Sequence, residues 1–182
     1  MIRLCSEFIG ILARKLRLCN NSVISSQAKG MGMGSISAKR VASYFIEKSS
    51  KLDEDNDLTN LKLQKILYFA QVESIKKNGA KLFRDEIEAW QYGPVVREVY
   101  DWLKGCGAYT ITSFDVPLDV NGMTDEAREF LDFIWKKYNK YSASHLVRKS
   151  HASRSAWSIV YKNGQGNREV IPYERLRTTA TL

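Results

Sequence analysis

Two histidines, His145 and His151, are the side chains of this sequence best suited to acid–base or metal chemistry near neutral pH. No carboxylate cluster accompanies them at a metal-ligand spacing, and no Gly-x-Ser-x-Gly segment supplies a serine nucleophile. We therefore predict that the protein is not an enzyme and that it holds no metal ion and no cofactor. His151 is instead predicted to be a buried hydrogen-bonding residue that ties the last helix to the turn at Gly164, with Trp157 packed beside it.

Two other segments have the composition of ligand-binding loops but lack the residues that such loops need. The glycine turn at residues 163–167 has no following Lys-Ser or Lys-Thr pair, so it does not match a phosphate-binding loop. The acidic run at residues 53–57 lacks the central glycine and the terminal glutamate of a calcium loop. Its carboxylates are expected to favour the start of a helix near Thr59.

The sequence contains three cysteines, Cys5, Cys19 and Cys106, which have no metal-ligand spacing. An odd number of unpaired thiols is typical of a reducing compartment, which indicates a cytoplasmic protein. No apolar run approaches the roughly 20 residues that a membrane-spanning helix needs, so no membrane partner is expected.

The net charge of +8 is distributed unevenly along the chain. Residues 1–34 contain five basic residues and one acidic residue, and so account for half of the net positive charge. Because the remainder is only mildly basic, nucleic-acid binding is predicted to be weak or absent.

Residues 1–34 are predicted to be a basic leader that is disordered or is an upstream translation extension. A genuine basic tail and a targeting segment are the alternatives. Met31 and Met33 lie just before the first well-capped helix, so Met1, Met31 and Met33 all stay open as the true start.

The leader is predicted to be dispensable for folding, because the capped and periodic pattern begins only near Ser35. In thermal denaturation, a chain that starts at Met33 should melt at nearly the same temperature as the full chain. A drop of tens of degrees on truncation would instead mean that the leader packs into the core.

Residues 35–182 are predicted to form one domain, because helix caps and apolar periodicity follow each other regularly. Ser37 caps a first helix, and Thr59 caps a longer helix that ends at Gly79. The face of the longer helix that is predicted to point inward consists of Leu63, Ile66, Leu67, Ala70 and Ser74.

The middle of the chain predicts two short strands separated by a helix. In residues 86–92, Ile87, Ala89 and Gln91 alternate with Glu88, Trp90 and Tyr92, which suits a short strand, and residues 109–114 are the second strand candidate. Gly93 and Pro94 break the first strand, and Pro94 is expected in the first turn of a helix that ends at Gly105.

The last third of the chain predicts further helices. Thr124 caps a strong helix, and Ser142 or Ser144 opens a shorter one. The tail from Tyr161 is turn-rich and ends in a short segment around residues 173–176. The expected fold class is mainly α within α+β, a single compact helical bundle with a small β-hairpin.

Four segments, in order along the chain, carry a resemblance to a known family. They are residues 61–70 (LKLQKILYFA), residues 88–100 (EAWQYGPVVREVY), the capped helix from Thr124, and Ser150-His151 followed by Trp157 and the 164–167 turn. Together they resemble the SocA-like Panacea-domain antitoxins, a family that includes the phage-associated GepA type. Ser150 and Ala156 stand where this family usually shows Thr and Pro.

The resemblance covers roughly residues 37–176 and implies an antitoxin of a toxin–antitoxin system. Such a protein neutralises a co-encoded toxin by direct protein–protein binding. The resemblance also implies a role as a proteolytic adaptor that hands the toxin to a bacterial protease. The expected partners are therefore a cognate toxin and a protease.

The turn between the first strand and the next helix is the predicted partner-binding surface. Its aromatic residues Trp90, Tyr92 and Tyr100 are either buried core or anchors for a partner, and both interpretations stay open. Arg97 is predicted to point outward, because Val95, Val99 and Leu103 form the inward stripe. The candidate partner-binding residues are Trp90, Tyr92, Gly93, Pro94, Arg97, Tyr100, His151 and Trp157.

A DNA-binding autoregulator of its own operon is the alternative function. The basic residues that would face phosphates are Lys136, Lys137, Lys140, Arg148, Lys149 and Arg154. No helix-turn-helix signature accompanies them, which favours toxin binding. A small hydrolase is a third hypothesis, which the missing nucleophile disfavours. A toxin gene beside this one would favour the antitoxin hypothesis over the other two.

Overall fold

The computed structural model describes residues 36–180, so the predicted leader and its possible start sites lie outside the described residues. The described part contains seven α-helices and a three-stranded antiparallel sheet. In chain order they are α1 (Ala38–Ser49), α2 (Asn60–Asn78), β1 (Glu88–Trp90), β2 (Gly93–Val95), α3 (Arg97–Leu103), α4 (Asp125–Tyr138), α5 (Ala143–Ser150), α6 (Ala156–Tyr161), β3 (Glu169–Val170) and α7 (Tyr173–Ala180). The predicted fold class is confirmed.

The predicted helix caps are confirmed by hydrogen bonds at the helix starts. Ser37, Thr59 and Thr124 each accept a hydrogen bond from the backbone N–H three residues further on. Ser142, and not Ser144, caps α5, and Gly79 ends α2 in the left-handed conformation. The helix α6, capped by Ser155, was not predicted, because it is only six residues long.

The helix α2 is the centre of the domain, where it contacts α1, α4, α5, α7 and β2. All five residues of its predicted inward face are buried. The prediction was incomplete, however, because Lys62, Gln64, Lys65 and Gln71 are buried as well. Over residues 62–71 every side chain of α2 is buried, so the polar residues of this stretch need partners inside the protein.

Glutamine side chains of α2 hold the chain segments that pack around it. Gln71 accepts hydrogen bonds from the backbone N–H groups of Leu82 and Phe83, and it donates one to the Phe83 carbonyl. Gln64 accepts one from the N–H of Val96, which precedes α3. These hydrogen bonds hold the chain segments before β1 and after β2 against α2.

The hairpin consists of β1 and β2, joined by the two-residue loop Gln91-Tyr92, with Trp90 opposite Gly93. The prediction that Pro94 lies in a helix is therefore wrong, since Pro94 lies in β2 and α3 begins at Arg97. β2 is an edge strand of the β2-β1-β3 sheet, and an edge strand tolerates a residue that has no N–H.

The predicted strand at residues 109–114 is also wrong. Only Thr110 forms an isolated bridge there, to Thr59, and the neighbouring Ile111 N–H donates to the Leu58 carbonyl. The third strand is β3, which pairs with β1 from the part of the chain predicted to be turns. Its two residues are too few to produce an alternating pattern in the sequence.

Candidate partner-binding site

A cleft of about 740 Å³ lies beside the hairpin, and we call it the corner cleft. Its walls come from α2, the β1–β2 hairpin, α3 and the residues before β3. Its aromatic lining is Trp90, Tyr92 and Tyr100, three of the predicted partner-binding residues. A volume of this size is typical of sites that receive a small molecule or an anchoring side chain.

The aromatic residues of the corner cleft are not part of the hydrophobic core. Tyr92 is 66% exposed, while Trp90 and Tyr100 are half-buried with their ring centroids 4.9 Å apart. Of the two open interpretations, the structure therefore places these rings where a partner can contact them. Aromatic groups that are held in place but accessible are common anchors of protein interfaces.

Charged groups hold the indole ring of Trp90 in position. Its Nε1 donates to Glu88, and Arg97 binds the same carboxylate with two nitrogens at 2.7 and 2.9 Å. The guanidinium groups of Arg97 and Arg168 lie 5.6 and 5.1 Å from the Trp90 ring centroid. Burial alone would raise the pKa of Glu88, but the hydrogen bonds from Arg97 and Trp90 lower it overall.

Gly93 and Pro94 are buried, so they shape the cleft and do not present a side chain to a partner. Gly93 has a φ of +97°, and a Cβ atom built on it would lie 2.8 Å from Ser150 Oγ and 2.9 Å from Lys65 Cε. The Pro94 carbonyl accepts a hydrogen bond of 2.8 Å from Lys65 Nζ. Only glycine therefore lets β2 lie this close to α2 and α5.

Lys65 is the residue of this site that the sequence analysis missed. Its side chain is fully buried, it lines the corner cleft, and burial lowers its pKa to about 7. The signal in the sequence was the polar pair Gln64-Lys65 in the middle of an apolar helix, within one of the segments that carry the resemblance. The inward face predicted from helical periodicity did not include this pair, and the packing of β2 buries it.

His151 and Trp157 support the hairpin and do not line the corner cleft. The indole Nε1 of Trp157 donates to the carbonyl of Trp90 at 2.8 Å. The predicted packing of the two side chains is confirmed, since their ring centroids lie 3.6 Å apart in a parallel stack.

His151 was predicted to form a hydrogen bond with the turn at Gly164. Its Nε2 atom is buried and has no hydrogen-bond partner, so this atom does not form that bond. The imidazole is half-buried and is held by its stack on Trp157. Burial and the nearby Lys65 ammonium both lower the pKa of His151. The ring therefore stays neutral at physiological pH.

Residues 36–180 contain neither a candidate metal site nor a helix that could span a membrane. No group of three or more His, Cys, Asp or Glu side chains in this range could hold a metal ion. The described helices include none that is both long and apolar enough to cross a bilayer. Cys106 is a free thiol, and burial raises its pKa.

A second concavity, of about 560 Å³, gathers part of the predicted basic stretch, and we call it the basic groove. Lys137, Lys149 and Arg154 line it together with Lys76 of α2. Glu73 is the acidic residue among its described lining, and it binds Lys137 at 2.6 Å.

Comparisons with known proteins identify the family to which this chain is similar. The family described as "Antitoxin SocA-like, Panacea domain" matches residues 63–158, which include the hairpin, Lys65 and Trp157. The protein "Antitoxin SocA" of Caulobacter vibrioides (strain NA1000 / CB15N) is 31% identical over 141 residues, which cover 72% of this chain and 73% of that protein. No solved structure matches the chain.

Proposed function

The chain belongs to the SocA-like Panacea-domain antitoxin family, and from this premise we propose that it neutralises a toxin encoded beside it by direct binding at the corner cleft. The cleft is the observation that carries this proposal. It combines the exposed ring of Tyr92 with the half-buried rings of Trp90 and Tyr100. A few residues carry most of the binding energy at protein interfaces, and Trp, Tyr and Arg are enriched among them.

The rigidity of the hairpin supports the same proposal. Trp90 is held on its side chain by Glu88 and on its carbonyl by Trp157, so binding orders few additional groups. An interface that is already ordered loses little conformational entropy when the partner binds, which increases affinity.

The proposed mechanism is stoichiometric and not enzymatic. Among the described residues, both histidines stack on aromatic rings, His145 on Tyr141 and His151 on Trp157. Neither has the nucleophile and the orienting carboxylate that acid–base catalysis needs. One antitoxin molecule is therefore expected to block one toxin molecule.

Co-expression with the product of the adjacent gene tests the proposal. Cells that make both proteins should grow, and Tyr92→Ala, Arg97→Ala or Tyr100→Ala should reduce this protection while each variant keeps the circular dichroism and melting temperature of a folded protein. Full protection by all three folded variants, with unchanged toxin affinity, would place the binding surface elsewhere. A toxin that disappears from the cells in a protease-dependent way would add the adaptor role to direct binding.

Nucleic-acid binding is a second candidate function, which the basic groove favours. Its described lining has four cations, Lys76, Lys137, Lys149 and Arg154, against the one carboxylate of Glu73. Lys76 comes from α2, whereas Lys137, Lys149 and Arg154 come from the later basic stretch. The fold therefore brings cations from two separate parts of the chain to one groove. Phosphate groups are the ligands that such a charge distribution attracts.

Binding of the protein to DNA of its own promoter is predicted to be weak and to fade steeply with salt, because a few phosphate contacts supply all of it. Fluorescence anisotropy at 50 and 200 mM salt should show a loss of roughly tenfold or more in affinity for promoter and random DNA alike. Nanomolar, sequence-selective binding at physiological salt would make the autoregulator the leading function.

A further inference from the structure

We propose that the basic groove is a binding site for the phosphate group of a small phosphorylated molecule. This site is independent of toxin binding, because the groove and the corner cleft share no lining residue. It also gives the groove a ligand other than DNA, since one phosphate group and a small organic part are enough to fill it.

The four cations of the groove come from four different places in the fold. Lys76 lies on α2, Lys137 on α4, Lys149 on α5, and Arg154 in the connection between α5 and α6. All four residues are exposed, so a ligand can reach them from solvent. The fold therefore gathers accessible positive charge around one concavity, and a negatively charged ligand is attracted to it.

Most of this positive charge is not used within residues 36–180. Lys137 binds Glu73 at 2.6 Å, whereas Lys76, Lys149 and Arg154 form no ion pair with a described residue. Three positive charges are thus left for a ligand. A phosphate ester carries a charge of about −1.5 to −2 near pH 7 and has three acceptor oxygens, so it matches them in charge and in hydrogen bonding.

Glu73 is the carboxylate of the groove, and its charge is compensated. Its Oε1 accepts hydrogen bonds from Lys137 and from the Tyr138 hydroxyl, at 2.6 and 2.8 Å. Burial alone would raise the pKa of Glu73, but these two hydrogen bonds and the charge of Lys76 lower it overall. Glu73 is therefore ionised, and removing its charge is expected to favour an anion in the groove.

The size and the walls of the groove favour a small organic ligand. Its volume of about 560 Å³ lies within the range of small-molecule sites, roughly 300–1,000 Å³. Val72 and Tyr141 are half-buried lining residues and offer an apolar wall to the organic part of the ligand. A DNA backbone needs cations along a track, but Lys136, Lys140 and Arg148 of the basic stretch do not line the groove.

Arg154 has a backbone conformation that favours glycine. Its φ is +63°, in the left-handed region that an L side chain adopts only at a cost in stability. The turn around it is held by Ser155, whose Oγ donates to the Ser150 carbonyl at 2.8 Å and whose N–H donates to the Ala152 carbonyl. A strained residue with a long charged side chain at the edge of a cavity is a common feature of functional sites.

Calorimetry with the full chain at physiological salt compares three probes. They are inorganic phosphate, a nucleoside monophosphate, and single-stranded DNA that lacks a terminal phosphate. The monophosphate should bind with a stoichiometry of one, and more tightly than inorganic phosphate, because its organic part contacts Val72 and Tyr141. The DNA should bind more weakly than the monophosphate.

Variants of exposed residues locate the site. Lys149→Met should weaken monophosphate binding about fivefold, the effect of one cation at contact distance in water. Arg148→Met is the matched control, because Arg148 is the neighbouring exposed cation on α5 and does not line the groove. It should change the Kd less than about twofold, since salt screens charges outside the site.

Two further variants give results that a general loss of structure would not produce. Glu73→Gln should strengthen monophosphate binding about fivefold, because it removes the one negative charge and releases Lys137. Arg154→Gly should weaken binding about fivefold without lowering the melting temperature, because glycine adopts the φ of +63° without strain.

Three outcomes would overturn the inference while the antitoxin function stands. The first is the absence of saturable binding of either phosphate probe to the wild type. The second is an equal effect of Lys149→Met and Arg148→Met, which would show a general attraction to a basic protein. The third is DNA that binds more tightly than the monophosphate and is weakened by Lys149→Met, which would make nucleic acid the ligand of the groove.

Discussion

Replacing Gly93 by alanine is expected to lower the free energy of unfolding by about 3 kcal/mol, from backbone strain and overpacking together. The φ of +97° is one that L side chains rarely adopt. The new Cβ would also lie 2.8 Å from Ser150 Oγ and 2.9 Å from Lys65 Cε, so α2, α5 and β2 would have to separate. Urea denaturation of wild type and variant measures the difference.

Gly79→Ala is the matched control for this prediction. Gly79 has a φ of +68°, and no atom lies within 4 Å of its built Cβ, so this variant reports backbone strain alone, roughly 1 kcal/mol. The double variant Gly93→Ala/Ser150→Ala should recover part of the loss, because it removes the closest of the atoms that the new Cβ meets. Equal losses for Gly93→Ala and Gly79→Ala would show that the close approach of β2 to α2 is absent in solution.

Replacing Tyr92 by alanine is expected to weaken toxin binding about thirtyfold, the equivalent of about 2 kcal/mol for a truncated aromatic anchor. Tyr92 lies in the two-residue loop of the hairpin with 66% of its surface exposed. Its removal therefore leaves the core and the hydrogen bonds of Trp90 intact, and the melting temperature should not change. Calorimetry with the purified toxin measures the Kd.

Phe114→Ala is the control that separates a specific anchor from general surface hydrophobicity. Phe114 is 97% exposed and is not among the residues that line the corner cleft. Its replacement should change the toxin Kd less than twofold, which is within the usual range for a residue outside an interface. A loss for Phe114→Ala as large as that for Tyr92→Ala would move the proposed interface away from the cleft.

Gly93 and Tyr92 have different roles in one structural unit, the β1–β2 hairpin. Gly93 allows the hairpin to lie against α2 and α5, whereas Tyr92 is the part of the hairpin that faces outward. The links between them are the Lys65–Pro94 and Trp157–Trp90 hydrogen bonds, both made to backbone carbonyls of the hairpin. Replacing the exposed side chain of Tyr92 therefore leaves both of these hydrogen bonds in place.

Local signals in the sequence were enough to predict three capped helix starts and the family. Ser37, Thr59 and Thr124 cap helices through a hydrogen bond that spans three residues, so the information is contained in a short segment. The family resemblance depended on the contiguous segments at residues 61–70 and 88–100, and the matching family confirms it. Both kinds of signal can be recognised without knowing what lies nearby in space.

The strand pairing was decided by the tertiary structure. Residues 169–170 pair with β1 although about 80 residues separate them along the chain, and each strand is only two or three residues long. Such short strands carry no periodic pattern, and their partners are chosen by the packing of the helices around them. The same packing places Pro94 on an edge strand and leaves residues 109–114 with a single bridge.

The character of the candidate site also depended on tertiary structure. The sequence determined that Trp90, Tyr92 and Tyr100 lie within one short segment, and the structure determined that they line a cleft with Lys65. Periodicity assigns a helix one buried face, but residues 62–71 of α2 are buried on all sides, so the rule fails for the polar residues among them. Whether a buried lysine has a carboxylate, as Lys62 does, or lacks one, as Lys65 does, is set by which distant residues the fold brings beside it.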